Sequence, residues 1–390
     1  MPVSGKRRRD SILTLRMTSI AAAMLALAGL LAACSGGSSL APIHKSPGPA
    51  PTPTVTLGLW VTNAASPDVI EFSASQTMPA GVSSPVPTLK NNSPSFFQPT
   101  QSIFDTSGNL WVVDSGGDSL GVNAGIFEFS VAQLAALATA PNPIPVFAIT
   151  NSDGKPGFTS PSYGAFDSAG NLYVSDTFNN LIYVFSAAQL SSGDGTGITA
   201  AAIFQIVGSQ TITGMTFDSA GDLFLLDLDL SAIYVVDKAN IPTSSVSVVN
   251  VTADVSLESN GLVSGASIDT PIGLVFDTAG NLWFTNQGLG SQPSITEFAA
   301  ASLSLSGTPT PEVQIFGTAV GSGFSLSTPS GISFDNLGDL AVANSNPDGV
   351  SIFSPAQLAR SGSPVPNVFI ESNANSLFSP SGLVFGPNVP

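Results

Sequence analysis

The sequence contains few of the residues that catalyse reactions or crosslink chains. Its 390 residues include a single cysteine, Cys34, and a single histidine, His44. One cysteine excludes a disulfide within the chain. Because the histidine lies near the N-terminus, a Ser-His-Asp or Cys-His arrangement is excluded from the rest of the chain, and so is a histidine general base.

Basic residues are also scarce. Lys and Arg number 10, against 26 Asp and Glu, and five of the basic residues lie in the first sixteen positions. After residue 33 the chain keeps 5 basic and 25 acidic residues, a net charge of −20. A field of this sign repels nucleic acids and anionic surfaces. We therefore expect no nucleic-acid partner.

The first 33 residues have the organisation of an export signal. A Lys-Arg-Arg-Arg run at residues 6–9 precedes an apolar run from about Met17 to Leu31. This run is shorter than the roughly 20 residues that a membrane-spanning helix needs. The Leu-Ala-Ala-Cys sequence that ends at Cys34 resembles a bacterial lipobox, which implies cleavage before Cys34 and lipidation of its sulfur. An ordinary secretory signal with an incidental cysteine is the alternative.

The residues after Cys34 are rich in Ser, Gly and Pro up to Val55, a composition that stays extended. At about 3.1 Å per residue, this tether could reach roughly 60 Å. We expect a lipoprotein signal peptide at 1–33, a tether at 34–55 and a folded region at 56–390. These features predict an exported protein that is attached to the membrane through Cys34, at the outer membrane or the surface of the bacterial cell envelope.

A Phe-Asp motif recurs in the folded region, followed after two residues by Gly-Asn or Gly-Asp and then Leu. Its five copies begin at Phe104, Phe166, Phe217, Phe276 and Phe334. A sixth copy is split between the two ends: Pro380–Phe385 lacks the Asp turn, and Leu57–Asn63 supplies only the second half. Successive copies, counted to Phe385, are 51 to 62 residues apart, so the chain is built from repeated structural units.

Each unit has the pattern of four β-strands, which we label A to D. Four-stranded units repeated radially form a β-propeller, and the split copy predicts how the ring closes. We expect an all-β, six-bladed propeller in which N-terminal strands B to D pair with a C-terminal strand A. An open solenoid is the alternative, but it would leave unpaired edges. Aromatic residues recur in strand B, where we expect them to pack between blades.

The Pro-x-Gly-x-x-Phe-Asp-x-x-Gly-Asn-Leu pattern resembles the NHL-repeat and gluconolactonase-like (senescence-marker) six-bladed β-propellers. It is also similar to the streptogramin-lyase group. The resemblance covers nearly all of the chain after the tether, and it implies the fold more specifically than a function, since such propellers include lactonases, lyases, esterases and binding modules. The histidine-dependent lyase mechanism cannot be transferred, because His44 lies in the tether.

The resemblance also implies where metal ligands would lie in a lactonase. Several blades of such lactonases carry Asn or Asp between the Pro and Gly at the start of strand A. This chain has five hydroxyl residues and one isoleucine there: Thr100, Ser162, Thr213, Ile272, Ser330 and Ser381. Hydroxyls are poor primary ligands for a divalent cation, so this departure argues against metallohydrolase activity.

The start of strand A and the end of strand B meet at one mouth of the central channel, where we predict a ligand-binding site. Asp114, Asp176 and Asp227 end strand B in three adjacent units. Gln101 and Tyr163 replace the Gly that the other units place at the channel. These five residues are the predicted ligand-binding residues.

Three acids are candidate ligands for Ca²⁺ or another divalent cation, since such ions prefer carboxylate oxygens. They are Asp176, Asp227 and Asp229. The alternative is structural: Asp or Asn ends strand B in every unit and would then cap the turn to strand C. No catalytic residue is assigned.

Three functions follow as alternatives. The first is a monomeric, lipid-anchored binding or protein-interaction scaffold whose partner is an envelope protein or a small ligand. The second is a cation-dependent hydrolase, lactonase or lyase of the gluconolactonase-like type that uses the mouth acids. The third is a structural role at the cell surface without a ligand.

Overall fold

The computed structural model describes residues 57–77, 88–90, 96–116, 124–151, 156–192, 198–245, 247–260, 266–320, 323–372 and 377–387. The predicted signal peptide, Cys34 and the tether lie outside these ranges. Within them, no helix has the length and apolarity needed to cross a membrane.

The described chain forms six β-sheet blades in a ring. The blade that closes the ring begins with β1 (Leu57–Asn63), β2 (Asp68–Phe72) and β3 (Thr88–Lys90). Blade I contains β4 (Pro99–Phe104), β5 (Leu110–Asp114), β6 (Gly125–Phe129) and β7 (Phe147–Thr150). Blade II contains β8 (Pro161–Phe166), β9 (Leu172–Asp176), β10 (Leu181–Phe185) and β11 (Ala202–Ile206).

The second half of the ring follows the same order. Blade III contains β12 (Ile212–Phe217), β13 (Leu223–Asp227), β14 (Ala232–Val236) and, after β15 (Val249–Val251), β16 (Val255–Glu258). Blade IV contains β17 (Pro271–Phe276), β18 (Leu282–Asn286), β19 (Ser294–Phe298) and β20 (Val313–Phe316), and a hairpin of β21 (Ala319–Val320) and β22 (Gly323–Phe324) follows it. Blade V contains β23 (Pro329–Phe334), β24 (Leu340–Ser345), β25 (Asp348–Phe353) and β26 (Val368–Glu371). The last strand is β27 (Pro380–Pro387).

The A strands β4, β8, β12, β17, β23 and β27 contact one another in cyclic order around the centre. The closing blade has the strand order β27-β1-β2-β3, with β27 antiparallel to β1 from Leu57↔Pro387 to Thr62↔Gly382. The prediction of a six-bladed propeller closed by the two ends of the chain is therefore confirmed.

The Phe-Asp motif builds the turn between strands A and B. In blade I, Asp105 Oδ1 accepts the backbone N–H groups of Ser107 at 2.8 Å and Asn109 at 2.9 Å. Between them Gly108 has φ of 82°, a conformation that glycine adopts without steric cost. The Asn109 side chain donates to Asp105 Oδ2. The motif is thus a local turn whose residues satisfy one another.

Neighbouring blades are joined by aromatic pairs. An aromatic residue in strand B meets the motif phenylalanine of the next blade edge-on, with ring centroids 4.9 to 6.0 Å apart. The pairs are Trp60–Phe104, Trp111–Phe166, Tyr173–Phe217, Phe224–Phe276 and Trp283–Phe334. Such pairs stabilise a fold by about 0.5–1.5 kcal/mol beyond the burial of their area. The strand B aromatics therefore pack between blades, as their recurrence predicts.

The two faces of the ring differ in what they carry. The mouth face is where strand A begins and strand B ends, as at Pro99 and Asp114, which are paired in blade I. The turn face carries the A–B turns and the connections from strand C to strand D. These connections contain the helices α1 (Val131–Ala135), α2 (Ala187–Leu190) and α3 (Pro355–Leu358) and the 3₁₀ turns Lys238–Asn240 and Ala300–Ser302. Each α-helix starts with a capping box of Ser and Gln, which satisfies its first N–H groups.

Three C–D connections reach back to the outer strand of the preceding blade. Strand β15, from blade III, adds to β11 of blade II as a parallel fifth strand. Gly307 and Gly362 form single parallel bridges to Leu257 and Ile315 in the same way. At each site a serine hydroxyl accepts a backbone N–H from within that outer strand; the serines are Ser245, Ser306 and Ser361. These contacts pair edge groups that would otherwise be open to another chain.

Candidate functional site

The three mouth-face aspartates are fully buried and bind backbone N–H groups. In blade II, Asp176 accepts from Thr159 at 2.6 Å, Ser160 at 3.1 Å and Asn179 at 3.2 Å. The equivalent donors are Phe97, Gln98 and Gly116 for Asp114, and Gln210, Thr211 and Leu230 for Asp227. Each aspartate thus fastens the segment before strand A to the end of strand B.

Asparagines take the same position in the other three blades. Their side-chain oxygens accept one backbone N–H from the segment before strand A, donated by Phe378 to Asn63, by Asp269 to Asn286 and by Ser327 to Asn344. The position is therefore a backbone clamp in all six blades. Burial raises the pKa of Asp114 to about 6, although the N–H groups of Gly116, Gln98 and Phe97 act in the opposite direction.

The structure does not bring the candidate metal ligands together. Asp229 is exposed and accepts the Thr211 hydroxyl at 2.5 Å, whereas Asp176 and Asp227 face the backbone of their own blades. Across the described ranges, no group of three or more His, Cys, Asp or Glu side chains is arranged to hold a metal ion. The mouth acids act as hydrogen-bond acceptors for the backbone.

Gln101 and Tyr163 do come together, at the central channel. They line a cavity of about 20 Å³ whose other walls are Met215, Gly273, Leu274, Gly331, Ile332, Gly382 and Leu383. The A strands approach so closely here that a Cβ at Gly331 would lie 2.7 Å from the Leu383 nitrogen. Gln101 accepts the Gly164 N–H at 2.6 Å, and burial raises the pKa of Tyr163. One water needs about 10–15 Å³, so this cavity has room for about one.

Larger cavities lie at the turn face, between adjacent blades. Their volumes are about 680 Å³ between blades IV and V, about 710 Å³ between blades III and IV, and about 270 Å³ between blades I and II. All three are bounded by the A–B turns of the flanking blades and by a C–D connection. The first two have the size of typical small-molecule sites, about 300–1,000 Å³.

The cavity between blades IV and V, here the blade IV–V pocket, combines apolar walls with carboxylates. Its apolar residues include Phe276, Trp283, Val313, Phe334, Pro355 and Leu358. Its acids are Asp277, Glu297, Glu312 and Asp335. Strand β19 supplies Glu297, strand β18 supplies Trp283 opposite it, and α3 of blade V covers the other side.

Glu297 is the unusual group of this pocket. Its side chain is 6% exposed, and its carboxylate makes no hydrogen bond to the described residues. Burial raises its pKa to about 7, and the negative charges of Asp277 and Glu312 add to the effect. By contrast, burial acts to raise the pKa of Asp277, but the hydrogen bonds that it accepts outweigh this effect, so its pKa is lowered. The donors are the N–H groups of its own turn and the Trp283 indole N–H at 3.1 Å.

The cross-strand pair of Trp and Glu recurs in other blades. Trp111 lies opposite Glu128 in blade I, and Trp60 lies opposite Glu71 in the closing blade. Burial, with a contribution from Asp105, raises the pKa of Glu128 to about 6. Sequence reasoning missed these glutamates as site residues. The available signal was a charge within strand C, in the strings at residues 69–72, 126–129 and 295–298, where the other blades carry Val or Ile.

No protein-family model and no curated protein matches this sequence. Solved structures resemble the fold. A Bacteroides caccae protein of unknown function has a TM-score of 0.54 at 8% identity, covering 85% of this chain and 99% of its own. A Bacteroides fragilis protein provisionally described as a 6-phosphogluconolactonase has 0.52 at 13%, covering 86% and 99%. A chain of a nidogen/laminin complex has 0.52 at 12%, covering 85% and 98%. Identities this low show a shared fold alone.

Proposed function

We propose that this protein is a lipid-anchored β-propeller of the bacterial cell envelope that binds a ligand or protein partner through its turn face. Residues 1–33 are its signal peptide, residues 34–55 its tether and residues 56–390 its propeller, which acts as a monomer. The lipobox-like sequence before Cys34 and the extended composition after it support the anchor.

One observation carries the choice of a binding function over an enzyme. Cavities of ligand size lie at the turn face, whereas the acids that a hydrolase would use at the mouth face are engaged by backbone N–H groups. Releasing Asp176 or Asp227 to bind a cation or a substrate would leave several partly buried N–H groups without their acceptor, and a buried donor left without one costs up to about 1–3 kcal/mol. The cation-dependent hydrolase is therefore the weaker proposal.

The anchor is tested by following the full-length protein in a bacterial host that processes lipoproteins. We expect incorporation of labelled palmitate and recovery in the membrane fraction, both lost in Cys34→Ser. Ser35→Ala is the matched control and should keep both. Palmitate-free wild-type protein in the soluble fraction would overturn the anchor and leave the propeller's binding role to be judged separately.

The binding face is tested by site-specific photo-crosslinking in living cells. A photoreactive amino acid at Ala359, which is exposed beside α3 at the turn face, should give discrete crosslinked products. The same amino acid at Phe178, which is 68% exposed at the mouth face, is the control and should give none. Products from Phe178 alone would move the binding site to the mouth face and refute the proposal.

A further inference from the structure

We infer that the blade IV–V pocket binds an organic cation, an ammonium or guanidinium group on an apolar or aromatic body, with Glu297 as its counter-ion. This inference rests on the proposed binding function of the turn face and specifies the chemistry of its ligand.

The first argument is the missing partner of a buried acid. Buried charges in proteins are almost always paired or hydrogen-bonded, because an isolated ion loses its hydration without compensation. As a residue Glu297 is 6% exposed, and its carboxylate has no hydrogen-bond partner among the described residues. The carboxylate oxygens are not sealed off, since they border a cavity of about 680 Å³ that a ligand could enter. A ligand that donates to this carboxylate would supply what the protein does not.

The second argument concerns the sign of the ligand's charge. The charged groups acting on Glu297 are Asp277 and Glu312, both negative, and Asp335 lines the same cavity. The chain has four basic residues after residue 56, and only Arg360 lies next to the pocket in sequence. An anion would be repelled by this field, whereas a cation relieves the repulsion among the carboxylates.

The third argument distinguishes an organic cation from a metal ion. Divalent cations such as Ca²⁺ need several oxygen ligands within about 2.6 Å of the ion, and the described residues provide no group of three acids so arranged. Asp277 is unsuited as a ligand, since its oxygens accept the N–H groups of Ala279, Asn281 and Trp283. Phe276, Phe334, Pro355 and Leu358 provide apolar walls instead, and these match the hydrocarbon part of an amine.

A second cavity provides an internal comparison. Between blades I and II, Glu128 lies opposite Trp111 and beside Asp105, as Glu297 lies opposite Trp283 and beside Asp277. This cavity is smaller, about 270 Å³, and Glu128 is only partly buried. A substitution there has the same chemistry outside the proposed site, so it is the matched control.

The test is a calorimetric titration of the detergent-solubilised full-length protein. The ligand is 2-phenylethylammonium, and 2-phenylethanol is its uncharged isostere. We expect the protein to bind 2-phenylethylammonium and not 2-phenylethanol. Glu297→Gln should weaken the affinity for the cation roughly tenfold or more, because a charge-assisted hydrogen bond is lost. Glu128→Gln should bind as the wild type does. Ala359→Trp places a bulky ring at the pocket rim and should abolish binding of the cation. Because Ala359 is exposed, this substitution leaves the core intact.

Affinity should also depend on pH. The charges acting on Glu297 are those of Asp277 on the A–B turn of blade IV and Glu312 before β20. Asp335 lines the same cavity, and Arg360 follows the lining residue Ala359 in sequence. With a pKa of about 7 for Glu297, affinity should rise from about pH 5 to about pH 9 in the wild type and stay flat in Glu297→Gln.

Three results would overturn the inference: no binding of the cation, equal binding of the alcohol, or equal affinity in Glu297→Gln. The crosslinking at Ala359 separates this failure from that of the proposed function. Crosslinks without cation binding would leave the turn face as the binding face and remove only the ligand class.

Discussion

Replacing Glu297 by Gln is expected to stabilise the propeller in alkaline solution and to have little effect in acid. Its folded-state pKa of about 7 compares with an ordinary value of 4.5. Between these values the folded protein keeps a proton that the unfolded chain releases, so stability falls as the pH rises through this interval. The loss is complete above the folded pKa. Gln has almost the same shape and carries no charge, so it removes this loss.

The size of the effect follows from the same two values. A difference of one unit between the folded and unfolded pKa corresponds to about 1.4 kcal/mol. Complete ionisation of Glu297 therefore costs up to about 3 kcal/mol of folding free energy. Water in the adjoining pocket screens part of this, and we expect about 1–3 kcal/mol for the variant at pH 9. A gain of that size raises the melting temperature of a large domain by roughly 2–6 °C.

The assay is urea unfolding followed by tryptophan fluorescence, at several values from about pH 5 to about pH 9. Glu312→Gln is the control, because Glu312 lies beside the same pocket but is exposed; its effect should stay within about 0.5 kcal/mol. If wild type and Glu297→Gln had parallel pH profiles, or if the variant were the less stable protein at pH 9, the argument from burial would be refuted.

Two further predictions concern the clamps and the ring. Asp176→Asn should lower the free energy of unfolding in urea by about 1–3 kcal/mol, because an amide N–H₂ would face the Thr159 N–H. The control is Asp229→Asn at an exposed position, which should change it by no more than about 0.5 kcal/mol. Equal losses in the two variants would contradict the clamp. Removing residues 380–390 deletes β27, the partner of β1, and should abolish the cooperative unfolding transition and the monomer peak in gel filtration. Removing residues 388–390 should change neither, and a folded monomer without β27 would contradict closure by the chain ends.

The blades and their closure could be predicted because the motif is local. Asp105, Gly108 and Asn109 satisfy one another within one turn, so each copy of the motif marks one A–B turn wherever it occurs. The split copy then identifies the ends that must pair. Likewise, the strand B aromatics could be assigned to the contacts between blades because their position recurs.

The site could be predicted only in part, since its character depends on contacts between distant segments. The sequence places Asp114, Asp176 and Asp227 at one face correctly, but it does not show which groups their oxygens bind. Their recurrence as Asp or Asn in every blade was the sign of a clamp. Glu297 shares its cavity with Phe334 and α3 of blade V, and no periodicity within strand C reveals this.

The closing blade also determines on which side the chain enters the propeller. Leu57 pairs with Pro387, and both lie at the turn face, where the blade IV–V pocket is found. A fusion or label attached at either end of the described propeller would therefore stand on the same side as the ligand-sized cavities, and the face that carries the Asp and Asn clamps would stay uncovered.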